Sequence, residues 1–71
     1  MSRLYKFKKA RIVFKDNRIL EGLILKCDFH MNIIISSSVE YRLNMKNKKW
    51  KKRSIGFCVI RGNYISTISV L

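Results

Sequence analysis

The sequence predicts an all-β fold, a small and strongly bent antiparallel barrel of five strands. Isoleucine is its commonest apolar residue, and Ile, Val, Thr, Phe and Tyr all favour strands. These residues fall in short segments separated by turn signals. Gly22 and Gly56 lie inside two of the segments, where a missing side chain permits a sharp bend. Because there is no proline, internal repeat or linker, we expect residues 1–71 to form a single domain.

The first two strands form a predicted hairpin. In the first, over residues 10–15, Ala10, Ile12 and Phe14 point one way and the residues between them point the other. Asp16-Asn17 follows, and both residues tolerate the positive φ that a tight hairpin needs. The second strand is predicted over residues 18–27, with Gly22 as its bend point.

Residues 28–31 form the next connection. The third strand is predicted to begin at Asn32 and to run towards Tyr41 or Leu43, with a weak middle at residues 36–38, all serines, where it can bend. Residues 1–9 fit two structures, either one helical turn that lies on the barrel or an extended arm.

Residues 44–53 contain six basic residues and Trp50 but no acid, which predicts a charged hairpin loop. The fourth strand is predicted over residues 54–60, and Arg61-Gly62-Asn63 is a predicted tight turn. The fifth strand is predicted over residues 64–70.

The charge indicates a polyanion partner. Sixteen Lys and Arg residues against four acids give a formal charge of +12. Solubility alone needs a magnitude of only about 2–8, whereas nucleic acid binding benefits directly from such an excess.

Other classes of protein lack the residues they need. The chain has one histidine, His30, and four scattered acids. Their spacing does not bring a general acid and a general base together, so we expect neither an enzyme nor a cofactor. Cys27, Cys58 and His30 are too few to make a four-ligand zinc site. We interpret the two cysteines as reduced thiols of a nuclear or cytosolic protein. No apolar stretch approaches the roughly 20 residues of a membrane span, and because no apolar signal-peptide core is present we expect no signal peptide. We therefore expect no membrane partner and no small-molecule substrate.

Two segments between predicted strands have side chains suited to RNA. The imidazole of His30 and the guanidinium of Arg61 can stack on the two faces of one base. The amide of Asn32 can donate and accept together at a base edge, which suits uracil, and Gly62 lets RNA approach the backbone. From residue types alone, His30 fits a solvated loop histidine equally well, and Arg61-Gly62 fits an ordinary turn.

The order of these residues resembles the Sm/LSm family. Residues 12–18, Gly22 and residues 28–33 resemble the first Sm motif, which has apolar residues, D-G-R, G and D-x-x-M-N. Residues 55–65 resemble the second motif, an apolar strand that ends in R-G. Within the family the sequence is most similar to the Sm B type of spliceosomal core protein, through D-x-H-M-N, Glu40-Tyr41-Arg42 and the Lys-rich stretch before the second motif. Asn17 departs from the usual glycine, which a positive-φ turn tolerates.

The resemblance implies a ring in which the fourth strand of one subunit pairs with the fifth strand of its neighbour. It also implies one RNA base per subunit at the inner rim. His30 and Arg61 would sandwich the base, Asn32 would read its edge, and Gly62 would offer its backbone. Asp28 would hold the loop and Asn32 in place. Asn63 is a marginal addition to the residues that would contact RNA.

The implied function is that of a spliceosomal Sm subunit, which helps to assemble a ring on single-stranded, uridine-rich small nuclear RNA. It implies a nuclear protein whose assembly can begin in the cytoplasm. An LSm subunit of an RNA-decay ring or another small-RNA ring is the first alternative. The second is a structural ring subunit that makes no base contact.

The basic stretch has three interpretations: contact with RNA phosphates, a nuclear-import signal, or a solvated loop. Its cations are Lys46, Lys48, Lys49, Lys51, Lys52 and Arg53. Trp50 can stack on a base or pack on its own loop.

Overall fold

One antiparallel sheet of five strands makes up the computed structural model, which describes residues 5–71. The strands are β1 (Lys9–Phe14), β2 (Ile19–Cys27), β3 (Ile33–Asn44), β4 (Lys49–Ile60) and β5 (Ile65–Val70). Their order in the sheet is β4-β3-β2-β1-β5, so β4 and β5 are its two edges. A short 3-10 turn, Gly62–Tyr64, joins these two strands. The predicted all-β fold of five antiparallel strands is confirmed.

The core lies on one face of the bent sheet, because alternate residues of each strand point towards it. Its members are all at most 4% exposed: Ala10, Ile12, Leu20, Ile24, Cys27, Ile33, Ile35 and Ile60. Each buried Leu or Ile contributes about 1.5–3 kcal/mol of transfer free energy, so a core of this size supports a small domain with little to spare.

The bends lie where the sequence predicted them. The register between β2 and β3 shifts between Glu21 and Leu23, on either side of Gly22. The register between β3 and β4 shifts on both sides of Ser38, and Ser37 has a φ of 51°. The hydroxyl of Ser38 donates to the Gly56 carbonyl at 2.6 Å, which ties the two bent strands together.

The predicted loop at residues 44–53 is mostly strand, which corrects the sequence analysis. Only residues 45–48 form the turn, since β3 continues to Asn44 and β4 begins at Lys49 instead of Ser54. Cross-strand pairing extends the hairpin, with Leu43 opposite Trp50. The side chains of Asn44 and Asn47 close the turn by accepting backbone N–H groups at 2.9 Å.

The N-terminal segment, for which the sequence fits a helical turn or an extended arm, is described only from Tyr5 onwards. Residues 1–4 of that prediction lie outside the described part. Residues 5–8 form a turn in which the Lys8 N–H donates to the Tyr5 carbonyl at 3.1 Å. Phe7 donates to the Ile24 carbonyl at 2.7 Å, which holds this turn against β2. Within residues 5–71, no helix has the length and apolar character needed to span a membrane.

Candidate functional site

The connection between β2 and β3 is organised by the carboxylate of Asp28. Its Oδ1 accepts the backbone N–H groups of His30 at 2.8 Å and of Asn32 at 2.9 Å. Its Oδ2 accepts the side-chain amide of Asn32 at 3.1 Å. Met31, between them, has a φ of 62° and donates its N–H to the Asp28 carbonyl at 3.1 Å. One carboxylate thus fixes the backbone of the loop and the orientation of the Asn32 side chain.

The same donors determine the charge state of Asp28. The backbone N–H of Asn32, followed by its side-chain amide and the N–H of His30, lowers the pKa of Asp28 below its usual value, and partial desolvation opposes them. The carboxylate is therefore ionised at neutral pH, which strengthens the three hydrogen bonds.

Asn32 links the two segments that the sequence analysis singled out. Its Oδ1 accepts the backbone N–H of Gly62 at 2.9 Å, across 30 residues of sequence. A Cβ atom on Gly62 would lie only 2.1 Å from the His30 carbonyl oxygen, so no larger residue fits. From the sequence, Gly62 is expected to let RNA approach its backbone. The contact seen in the structure is with the protein's own loop.

The Asn32 amide keeps half of its hydrogen-bonding capacity. A primary amide has two N–H donors and two acceptor lone pairs. Asp28 takes one donor and Gly62 takes one lone pair, which leaves one of each for a ligand. The amide cannot turn over cheaply, because its NH₂ group would then face the Gly62 N–H and its oxygen would face the carboxylate. A half-buried amide of fixed orientation can recognise one base edge.

His30, Arg61 and Asn63 place exposed side chains at this junction. The backbones of the first two meet at Gly62, which follows Arg61 in the chain and packs on the His30 carbonyl. Asn63 lies in the 3-10 turn. The ring of His30 lies 6.5 Å from the ring of Phe29, which is itself 83% exposed. The imidazole and the guanidinium are therefore both exposed to solvent, on segments that meet at Gly62.

A second group of charged residues, which was not predicted from the sequence, is centred on the β3–β4 hairpin. Glu40 is nearly buried, and Arg18, Arg42 and Arg53 approach its carboxylate with N–O distances of 3.5, 3.3 and 3.6 Å. Residues two apart in a strand share a face, so the spacing of 40 and 42 in β3 and of 51 and 53 in β4 indicates this group. That signal can be used only once both segments are known to be strands. Trp50 lies on the opposite face of the hairpin.

Comparison with known proteins gives consistent matches. The model of the LSM domain family matches residues 3–70. "Probable small nuclear ribonucleoprotein G" of Medicago sativa is 36% identical over 67 residues, which cover 94% of this chain and 75% of that protein. "Small nuclear ribonucleoprotein-associated protein B" of Dictyostelium discoideum is 34% identical over 65 residues, or 87% of this chain. The chain spans only 24% of the length of that Dictyostelium protein.

The fold matches a solved structure as well. The crystal structure of a heptameric archaeal Sm protein superposes with a TM-score of 0.74 and 22% identity, over 94% of this chain and 90% of that chain. The resemblance to spliceosomal Sm proteins is thereby confirmed, with B-type and G-type relatives at similar identity.

Proposed function

The chain belongs to the LSM domain family, and we propose that it is an RNA-binding subunit of an Sm-type ring that holds single-stranded, uridine-rich small nuclear RNA. In this role it takes part in assembly of spliceosomal ribonucleoprotein and in pre-mRNA splicing, and no catalytic step is involved. The single observation that carries the proposal is the hydrogen-bonded group of Asp28, Asn32 and Gly62, which joins the two motifs and presents one oriented amide.

The remaining groups of the Asn32 amide suit uracil. Uracil offers a carbonyl acceptor next to an N–H donor, and the amide has one free N–H and one free lone pair. Cytosine reverses this order of donor and acceptor, so it would require the amide to turn over. The contacts from Asp28 and Gly62 oppose that rotation. His30 and Arg61 supply stacking for any base, and Asn32 supplies the preference.

The edges of the sheet support the ring. Neither β4 nor β5 has a partner on its outer side within the described chain. Phe57 and Val59 on β4 are 66% and 62% exposed, and Val70 on β5 is 50% exposed. Pairing of β4 with β5 of the next subunit covers both edges and closes into a ring when repeated. The partners are other Sm subunits.

The names of the relatives favour the spliceosomal alternative over an RNA-decay ring, because they are small nuclear ribonucleoprotein proteins. We accordingly propose a nuclear protein whose ring can be assembled in the cytoplasm. Part of the basic β3–β4 hairpin, including Arg53, is proposed to contact RNA phosphates.

The test is purification of the native complex from the protein's own cells, followed by native mass spectrometry and sequencing of the bound RNA. We expect other Sm subunits and a uridine-rich small nuclear RNA. A complex with RNA-decay subunits and no small nuclear RNA would support the LSm alternative instead.

A further inference from the structure

Strand alternation sorts the cations of the β3–β4 hairpin into two sets. Glu40 lies opposite Arg53, and Arg42 lies opposite Lys51, so these four residues share the face that carries the core. Trp50 and Lys52 belong to the other face, with Leu43 and Tyr41 opposite them. Arg18, just before β2, joins the first set through its contact with Glu40. We call Arg18, Glu40, Arg42, Lys51 and Arg53 the Glu40 cluster.

The Glu40 carboxylate holds three guanidinium groups together without using up their donors. Glu40 is only 9% exposed, and the three arginines come from different strands or turns. Their N–O distances to Glu40, 3.3 to 3.6 Å, exceed the roughly 2.7–2.9 Å of charge-assisted hydrogen bonds. Most of their N–H groups therefore stay available to a second anion.

The cluster has more positive charge than its own acids can balance. It borders a recess of about 350 Å³, which Lys52 also lines. Asp16 is the other acid, with an oxygen 2.7 Å from Nε of Arg18. The four cations of the cluster thus face two carboxylates, Glu40 and Asp16, which leaves a surplus of two positive charges. Guanidinium groups present paired donors whose geometry suits phosphate oxygens.

We propose that the Glu40 cluster binds backbone phosphates of the same RNA strand whose base enters the Asn32 pocket. The inference rests on the proposed function and specifies which residues contact the phosphates. Arg18 and Arg42 are added to the phosphate contacts, and the lysines at the hairpin tip are left out. Continuity along the strands favours RNA over an acidic protein. β3 begins beside Asn32, β4 ends beside Arg61, and both strands continue into the cluster.

Asn32 and Glu40 are separated by at most about 26 Å of strand, at roughly 3.3 Å per residue. A short oligonucleotide can fill the base pocket without reaching the cluster, whereas a longer one can engage both. The dependence of binding on RNA length therefore distinguishes the two sites.

The test compares two double variants of equal charge in the assembled complex. Arg42→Gln/Arg53→Gln removes two cations of the cluster, and Lys46→Gln/Lys48→Gln removes two from the exposed tip of the same hairpin. Affinity for a long uridine-rich RNA is measured against salt concentration. If each arginine holds one phosphate, the cluster variant should reduce the log–log slope by about 1.4, at about 0.7 per contact of a single strand. The tip variant and a uridine oligonucleotide too short to span both sites should show no such change.

Equal slope changes in both double variants would overturn the proposal, because the hairpin would then act only as a diffuse positive field. An unchanged slope in a folded cluster variant that loses binding to an acidic protein would also overturn it, in favour of a protein partner. Arg53→Gln alone replaces the double variant if the latter unfolds. Failure of the unmodified complex to bind uridine-rich RNA at any salt concentration would instead refute the proposed function.

Discussion

Asn32 is the residue on which base selectivity depends in the proposed pocket, since stacking on His30 and Arg61 accepts any base. Arg61→Ala should weaken binding of uridine and cytidine tracts alike, by about 1–3 kcal/mol per base. Asn32→Ala should instead reduce the preference for uridine, because it removes the oriented amide. Competition binding of short oligonucleotides to assembled complexes measures both effects.

The matched control for this prediction is Asn63→Ala, which removes an exposed amide from the same junction and should preserve the preference. Each variant must first be shown to assemble, because Asn32 also accepts the Gly62 N–H. Full uridine preference in an assembled Asn32→Ala complex would contradict the role of the amide.

Asp28 should make the stability of the loop depend on pH. Its folded pKa lies below the usual value of 3.8, so its stabilising contribution is complete well above that value. The contribution is lost as the pH falls through the usual value towards the lowered one. Asp28→Asn keeps the shape of the side chain but removes the charge, and should be less stable than the unmodified protein at neutral pH.

Thermal unfolding of both proteins between neutral pH and about pH 2 measures this contribution, since the range spans the usual carboxyl pKa. The difference between them should shrink on acidification. The pKa of Asp16 is also lowered, mainly by the Arg18 backbone N–H. Its contribution to stability is the same in both proteins, so it cancels from the difference between them. A difference that stays constant with pH would show that ionisation of Asp28 does not support the loop.

The candidate site residues came from the family resemblance, because residue types alone fitted an ordinary loop and turn equally well. An aspartate, a histidine and an asparagine in one loop suggested hydrogen bonding and stacking, and the structure brings that loop to Arg61-Gly62. The close packing of Gly62 was not predictable, because it is against a carbonyl 32 residues earlier in the chain. Residue type does not show whether a glycine leaves room for a ligand or for the protein itself.

At the scale of the strands, Gly22 allows β2 and β3 to pack closely at the bend. A Cβ atom there would lie 2.8 Å from the Ser36 carbonyl oxygen and 3.0 Å from the Cα of Ser38, both backbone atoms that cannot move freely. Gly22→Ala should destabilise the fold by about 1–3 kcal/mol, the usual cost of overpacking. Urea unfolding at matched protein concentration measures the change, and an unaltered midpoint would contradict the prediction.

The β3–β4 hairpin shows why charge density is a poor guide to secondary structure. Its lysines suggested a loop because charged residues are commonest in solvent. Alternation decides the matter instead, since Tyr41 and Leu43 lie opposite Lys52 and Trp50 and form a continuous cross-strand surface. The better turn signal was the pair of asparagines, Asn44 and Asn47, whose side chains accept backbone N–H groups.

The whole molecule combines a small core with two open edges and a charge of +12. The five-stranded fold could be predicted because alternation, turn residues and bend glycines agree along most of the chain. Neither the identity of the neighbouring subunits nor their number could be predicted in this way. Both depend on complementarity between two edges, and one chain contains only half of each contact.

Assembly through these edges leads to the last prediction, that the chain does not persist as a dilute monomer. Val59→Lys introduces a charge on β4, at a side chain that is 62% exposed, and should weaken assembly without unfolding the subunit. Met45→Lys makes the same change in charge at a side chain that is 67% exposed in the hairpin turn, and should leave assembly intact. Native mass spectrometry at micromolar concentration compares the two variants with the unmodified protein. A stable unmodified monomer, or equal assembly of both variants, would contradict pairing of β4 with a neighbouring β5.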